Sequence, residues 1–84
     1  MGGMSQVVVY TRSFCIWCFR AKRLLRRRGV AFEERDARSP EVRAMLLART
    51  GRATVPQVFF GDEHVGGYED LAERCARDAA QAPA

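Results

Sequence analysis

Long apolar runs are missing from this 84-residue chain. No stretch approaches the ~18 consecutive apolar residues that a membrane-spanning helix needs, so no membrane partner is expected. The amino terminus, MGGM, lacks the charged segment and apolar run of a secretory signal. Met4 therefore reads as the natural start, residues 1–4 as a disordered extension, and the cytoplasm as the expected location. Lysine is nearly absent, with thirteen arginines against one lysine and a net charge of +4. The arginines are dispersed except for Arg26-Arg27-Arg28, and no aromatic residues interleave with that cluster to offer stacking surfaces for bases. Nucleic acid is thus not an expected partner, and the basicity suits small anionic ligands and acidic proteins. Three cysteines are an odd set, unlike the even framework of a small secreted domain stapled by disulfides. Repeats, linkers and low-complexity tracts are also lacking, so residues 1–84 read as one domain, near the lower size limit for a self-sufficient core.

What is present is a regular succession of elements. Residues 6–10 (QVVVY) form a continuous β-branched apolar run, the pattern of a strand buried on both faces. Across residues 16–28, Trp17, Cys18, Ala21, Leu24 and Leu25 recur at helical spacing, and Gly29 suits a left-handed cap. Residues 30–36 (VAFEERD) resume a strand pattern with Val30 and Phe32 on one side. Links this short between strand, helix and strand imply two parallel strands. Ser39-Pro40 opens a second helix that Gly51 ends. Residues 57–60 and 63–65 flank Gly61-Asp62 as a hairpin, and a last helix starts near Tyr68-Glu69-Asp70 and frays over residues 80–84. The order is βαβαββα, an α/β fold.

The chemistry concentrates at Cys15-Ile16-Trp17-Cys18. Cys15 falls at the start of the first helix, where unsatisfied N–H groups and the positive end of the dipole favour a thiolate, the attacking form of a cysteine. Arg12 and Arg20 add positive charge to the approach. Cys18, one turn later, lies on the same face and can close a disulfide with Cys15, so one cysteine is placed as nucleophile and the other as its resolver. Zinc would need Cys15, Cys18, His64 and Cys75 to converge. A structural zinc pair normally sits in a turn and is answered by a second close pair, whereas His64 stands alone in a hairpin and Cys75 alone in the last helix. No metal ligand set is therefore expected. His64 reads as a half-buried or exposed strand residue, and Cys75 as a small core-facing one.

Three segments, VYTRSFCIWC, Thr54-Val55-Pro56 and GGYEDL, together resemble the dithiol glutaredoxins, in which YTK-x-x-C-P-Y-C, TVP and GG-x-D-D recur in this order at nearly these distances. The resemblance covers residues 6–78. It implies the thioredoxin fold, a four-stranded mixed sheet flanked by three helices, with Pro56 cis and the Thr54-Val55 backbone beside Cys15. It further implies glutathione as co-substrate. The cysteinyl part would pair with the Thr54-Val55 main chain like an added strand. Arg12 and Arg43 would meet the glycine carboxylate, Trp17 would line the groove, and Gly67-Tyr68-Glu69-Asp70 would hold the γ-glutamyl end with helix N–H groups and acidic side chains. The implied activity is reduction of protein–glutathione mixed disulfides and of protein disulfides by a monomeric enzyme whose catalytic residues are Cys15 and Cys18.

This sequence departs from the family pattern at Ile16, where proline is usual, at Trp17, where tyrosine is usual, and at Glu69, which replaces the first aspartate of GG-x-D-D. The first departure opens a rival reading, a [2Fe–2S] carrier with a cluster shared between two chains through the first cysteine and glutathione. A third reading is a redoxin that serves ribonucleotide reductase and is itself reduced by thioredoxin reductase. Arg12, Arg43 and GGYED argue against it, since they make sense chiefly as glutathione contacts.

Overall fold

Residues 6–81 are described by the computed structural model of the chain, with side chains through Ala79. The expectations for residues 1–4 and 82–84 lie outside that span. Strand β1 (Val7–Thr11) is buried along nearly its whole length because its side chains alternate between two separate apolar layers. Val9 enters a cluster with Ala21 and Leu25 of α1 (Ile16–Arg27), Val58 of β3 (Gln57–Phe60), and Leu71 and Cys75 of α3 (Tyr68–Gln81). Val8 and Tyr10 point the other way, to Ala37, Phe59 and Leu46 of α2 (Pro40–Thr50). The sheet is therefore sandwiched, with α1 and α3 on one face and α2 on the other. Leu25, Leu46 and Leu71 are fully buried, and truncating any one of them to alanine costs about 2–5 kcal/mol by the usual cavity penalty.

The strand order is β2-β1-β3-β4, where β2 is Glu33–Asp36 and β4 is Glu63–Gly66. Strands β1 and β2 run parallel, while β1 with β3 and β3 with β4 are antiparallel. This is the four-stranded mixed sheet with three helices of the thioredoxin fold. The local signals act as expected in α2, where the Ser39 hydroxyl accepts the Val42 N–H at 3.2 Å, Pro40 occupies the first turn, and Gly51 closes the helix at φ 75°.

Two boundaries differ from the sequence pattern. The second strand starts at Glu33 instead of residue 30, and its four side chains, Glu-Glu-Arg-Asp, are all exposed. Val30 donates its N–H to the Leu25 carbonyl at 2.9 Å, which ties it to the end of α1 and keeps it out of the ladder. Val30 and Phe32 still pack against the first cluster. Pairing with β1 at the sheet edge, and not apolar alternation, defines β2. The last helix continues to Gln81, so its helical backbone extends into the stretch expected to fray.

Candidate functional site

Ser13 and Phe14 turn the chain between β1 and α1. Phe14 takes φ 58° with its ring in solvent, a conformation uncommon for a bulky residue. Cys15 then occupies the N-cap of α1 in extended conformation, and its Sγ accepts the Cys18 N–H at 3.2 Å. Sulfur takes the place that serine or aspartate oxygen holds in other helix starts. Cys15 is half-buried, whereas Cys18 is only 2% exposed. Burial foremost, and then the hydrogen bond with Cys15, pushes the Cys18 thiol up to about 12 against smaller opposing effects of the Arg12 main chain and Lys22. The site thus pairs one accessible sulfur with one buried thiol that keeps its proton at neutral pH.

Of three neighbouring cavities, only the first is lined by this pair itself. The first, about 560 Å³, is lined by Arg12, Phe14, Cys15, Cys18, Phe19 and Lys22, among others. On its floor the Glu34 carboxylate accepts from the Thr11 hydroxyl at 2.6 Å and from the Lys22 ammonium at 2.8 Å. The second, about 350 Å³, collects Arg12, Arg38, Arg43, Ala53, Thr54 and Val55. Among the described residues neither Arg12 nor Arg43 makes an ion pair, while Arg38 is held by Asp36 at 2.8 Å. The third, about 240 Å³, brings Trp17 together with Thr54-Val55-Pro56 and Gly67-Tyr68-Glu69-Asp70. Thr54 and Val55 line both the second and the third, so the segment before β3 forms the shared wall of one groove. The Val55–Pro56 peptide is cis.

At the start of α3 the Asp70 carboxylate turns back to accept the Gly67 N–H at 3.1 Å, the third-position acid of a capping arrangement. The Trp17 ring packs 5.7 Å from Tyr68, and the Arg20 guanidinium lies 4.9 Å over its face. Arg20 is therefore engaged by Trp17. The twelve residues expected to be catalytic or to bind glutathione each line at least one of the three cavities, whereas Arg20 lines none of them.

The pattern does not single out Arg38, Arg52 or Gln57. Arg52 lines the third cavity and reaches Asp70 at 3.5 Å. Gln57 lines it too, although the residue is 1% exposed. Neither carries a local signal, since an arginine after a helix and a glutamine opening a strand are both ordinary. His64 lies half-buried on β4, and Cys75, 8% exposed on α3, belongs to the first core cluster, where burial pushes its thiol up. Among the described residues no group of three or more His, Cys, Asp or Glu side chains converges.

The family model of glutaredoxin matches residues 7–65. A glutaredoxin of Pseudomonas aeruginosa is 49% identical over 69 residues, 81% of this chain and 82% of that one. The chain belongs to the glutaredoxin family. Solved glutaredoxins share its shape as well. The solution structure of the Brucella melitensis glutaredoxin superposes with a TM-score of 0.79 at 46% identity, covering 94% of this chain and 87% of that one. The buckwheat glutaredoxin–glutathione complex superposes at 0.78 and 32% identity, covering 89% and 71%. Membership makes the chain a thiol–disulfide oxidoreductase, and its Cys-x-x-Cys cysteines line the first cavity, which shares Arg12 with the groove.

Proposed function

We propose that this glutaredoxin reduces protein–glutathione mixed disulfides, and protein disulfides, with glutathione as its reductant, acting as a monomer in the cytoplasm. The observation that carries the reading is the half-buried Cys15 sulfur at the N-cap of α1, adjoining a groove with Arg12 and Arg43 at one end and the start of α3 at the other. Glutathione is a tripeptide with a carboxylate at each end, and the groove offers cations for one and helix N–H groups for the other. Trp17, Thr54, Val55, Pro56, Gly67, Tyr68, Glu69 and Asp70 would hold the stretch between.

The Cys15 thiolate attacks the glutathione sulfur of a mixed disulfide. A Cys15–glutathione disulfide forms, and the protein thiolate leaves and takes a proton. A second glutathione thiolate attacks the glutathione sulfur of that intermediate, so Cys15 departs as thiolate and oxidised glutathione is released. With a protein disulfide as substrate, Cys15 opens the bond; Cys18 then gives up its proton to solvent and attacks the Cys15 sulfur, releasing the protein as a dithiol and leaving a Cys15–Cys18 disulfide, which two glutathione thiols reduce as oxidised glutathione is released. Cys15→Ser abolishes both routes, and Cys18→Ser keeps the first alone. Robust turnover by Cys15→Ser in a glutathione-coupled assay sinks the proposal. Turnover supported by thioredoxin reductase but not by glutathione points instead to a redoxin for ribonucleotide reductase.

Ile16, 60% exposed beside Cys15, favours a second reading in which two chains share a [2Fe–2S] cluster through Cys15 and glutathione. One chain alone does not hold such a cluster, because Cys15 is its single thiol that is not buried. Brown colour in anaerobically purified dimers, lost in Cys15→Ser, would establish it.

A further inference from the structure

Gln57 is the most buried polar side chain near the groove, at 1% exposure. Its amide is paired at both ends. The Nε2 group donates to Thr54 Oγ1 at 3.3 Å, and the Oε1 atom accepts from His64 Nε2 at 2.7 Å. Because Oε1 can only accept, His64 carries a proton on Nε2 in this arrangement. The imidazole rests against the Phe59 ring at 5.1 Å, which fixes its plane. Thr54, exposed at the end of the chain of bonds, lines both cavities of the groove. With one lone pair of Oγ1 taken by Gln57, the Thr54 hydroxyl keeps its own proton to donate to a group in the groove.

We propose that His64 and Gln57 are positioning residues that orient the Thr54 hydroxyl as a hydrogen-bond donor to an acceptor oxygen of the bound glutathionyl group. The proposal rests on the glutathione reading above. His64 never touches the ligand; it acts by holding the Gln57 amide in one orientation. If the amide loses that partner, a buried carbonyl is left unpaired, the amide is free to turn, and Thr54 can then donate inward and present no proton to the groove.

The test compares one peptide carrying either a glutathionyl or a cysteaminyl mixed disulfide, reduced by wild type, Thr54→Val, His64→Phe, His64→Gln and the Thr54→Val/His64→Phe double variant. Thr54→Val lowers kcat/KM for the glutathionyl peptide about three- to tenfold, the worth of one hydrogen bond. His64→Phe, which keeps the ring but not the donor, lowers it similarly and leaves the cysteaminyl reaction unchanged. His64→Gln, whose amide N–H can replace the imidazole donor, restores most of the loss. The double variant is no worse than Thr54→Val, because both changes remove the same contact. Additive losses, equal losses toward both peptides, or an undiminished preference in Thr54→Val overturns the relay. Absence of any glutathionyl preference in wild type overturns the glutathione reading itself, and the relay with it.

Discussion

The Sγ of Cys15 accepts the main-chain N–H of Cys18 at 3.2 Å, so the helix that carries the second cysteine directly stabilises the sulfur of the first. The reverse does not hold. Cys18 is enclosed, and its thiol is pushed up to about 12 chiefly by that enclosure. Two residues three positions apart thus differ in kind, one accessible and hydrogen-bonded through its sulfur, the other buried and protonated.

This asymmetry predicts selective alkylation. Limiting iodoacetamide at neutral pH should label the reduced protein once, at Cys15. Cys18 and Cys75 should react only after denaturation, since both are buried and both thiols are pushed up. Peptide mapping by mass spectrometry reads the site, and early labelling of Cys18 contradicts the arrangement.

Arg12 and Arg43 converge on the same cavity without an ion-pair partner among the described residues. Replacing either with alanine should raise KM for a glutathionylated substrate about tenfold, as expected for one charge-assisted contact, with kcat little changed. Raising the ionic strength should narrow the gap between wild type and variant. A KM insensitive to both substitutions places the ligand carboxylate elsewhere.

Gly66 is a steric requirement of the α3 cap. A Cβ there would collide with the Asp70 side chain, and the backbone stands at φ 124°, where side chains are strained. Gly66→Ala should destabilise the fold by about 1–3 kcal/mol. Asp70→Ala, which removes the bond to the Gly67 N–H, should cost about 1 kcal/mol. The double variant should be somewhat less destabilised than the sum, because losing the carboxylate relieves part of the clash, while the contact with the residue-70 Cβ and the positive φ remain. Urea denaturation of the three variants measures it.

Stability should form a plateau between about pH 6.5 and 9. Burial, followed by the nearby Arg52 charge, lowers the His64 ring below its ordinary 6.5, so the unfolded chain binds the proton more readily. The His64 contribution is intact above 6.5 and lost as pH falls through the lower folded value. Glu33, Glu34 and Asp36 are likewise lowered by hydrogen bonds from Arg35, Lys22 and Arg38, and extend the decline to more acid pH. Cys18 has the opposite sign. Its folded value is raised from 9.0, so its contribution holds below 9.0 and disappears as pH climbs toward 12. His64→Gln should flatten the first part of the acid limb and Cys18→Ala the alkaline limb of a plot of urea midpoint against pH.

Much of the fold could be read from local pattern. The apolar run at residues 6–10, Ser39-Pro40 before α2 and the turn at Gly61-Asp62 all specify structure through near neighbours, and each appears within a residue or two of its expected place. Strand β2 could not be placed in the same way. Its EERD side chains face solvent, and only hydrogen bonding to β1 makes it a strand. At the site, the cysteine spacing and the helix start made Cys15 and Cys18 visible. Gln57 and Arg52 stayed hidden, because His64, which holds the Gln57 amide, and Asp70, which meets Arg52, lie on other elements.

The sequence by itself determined the order of elements, the caps and the position of Cys15 at a helix start, since these depend on residues a few positions apart. Tertiary structure decided which of the two sulfurs is buried, where the groove runs between Arg43 and Asp70, and which side chains brace Thr54. Those properties come from packing and hydrogen bonds between different elements, whose energies appear only once the sheet has brought β1, β3, β4 and the helix starts together.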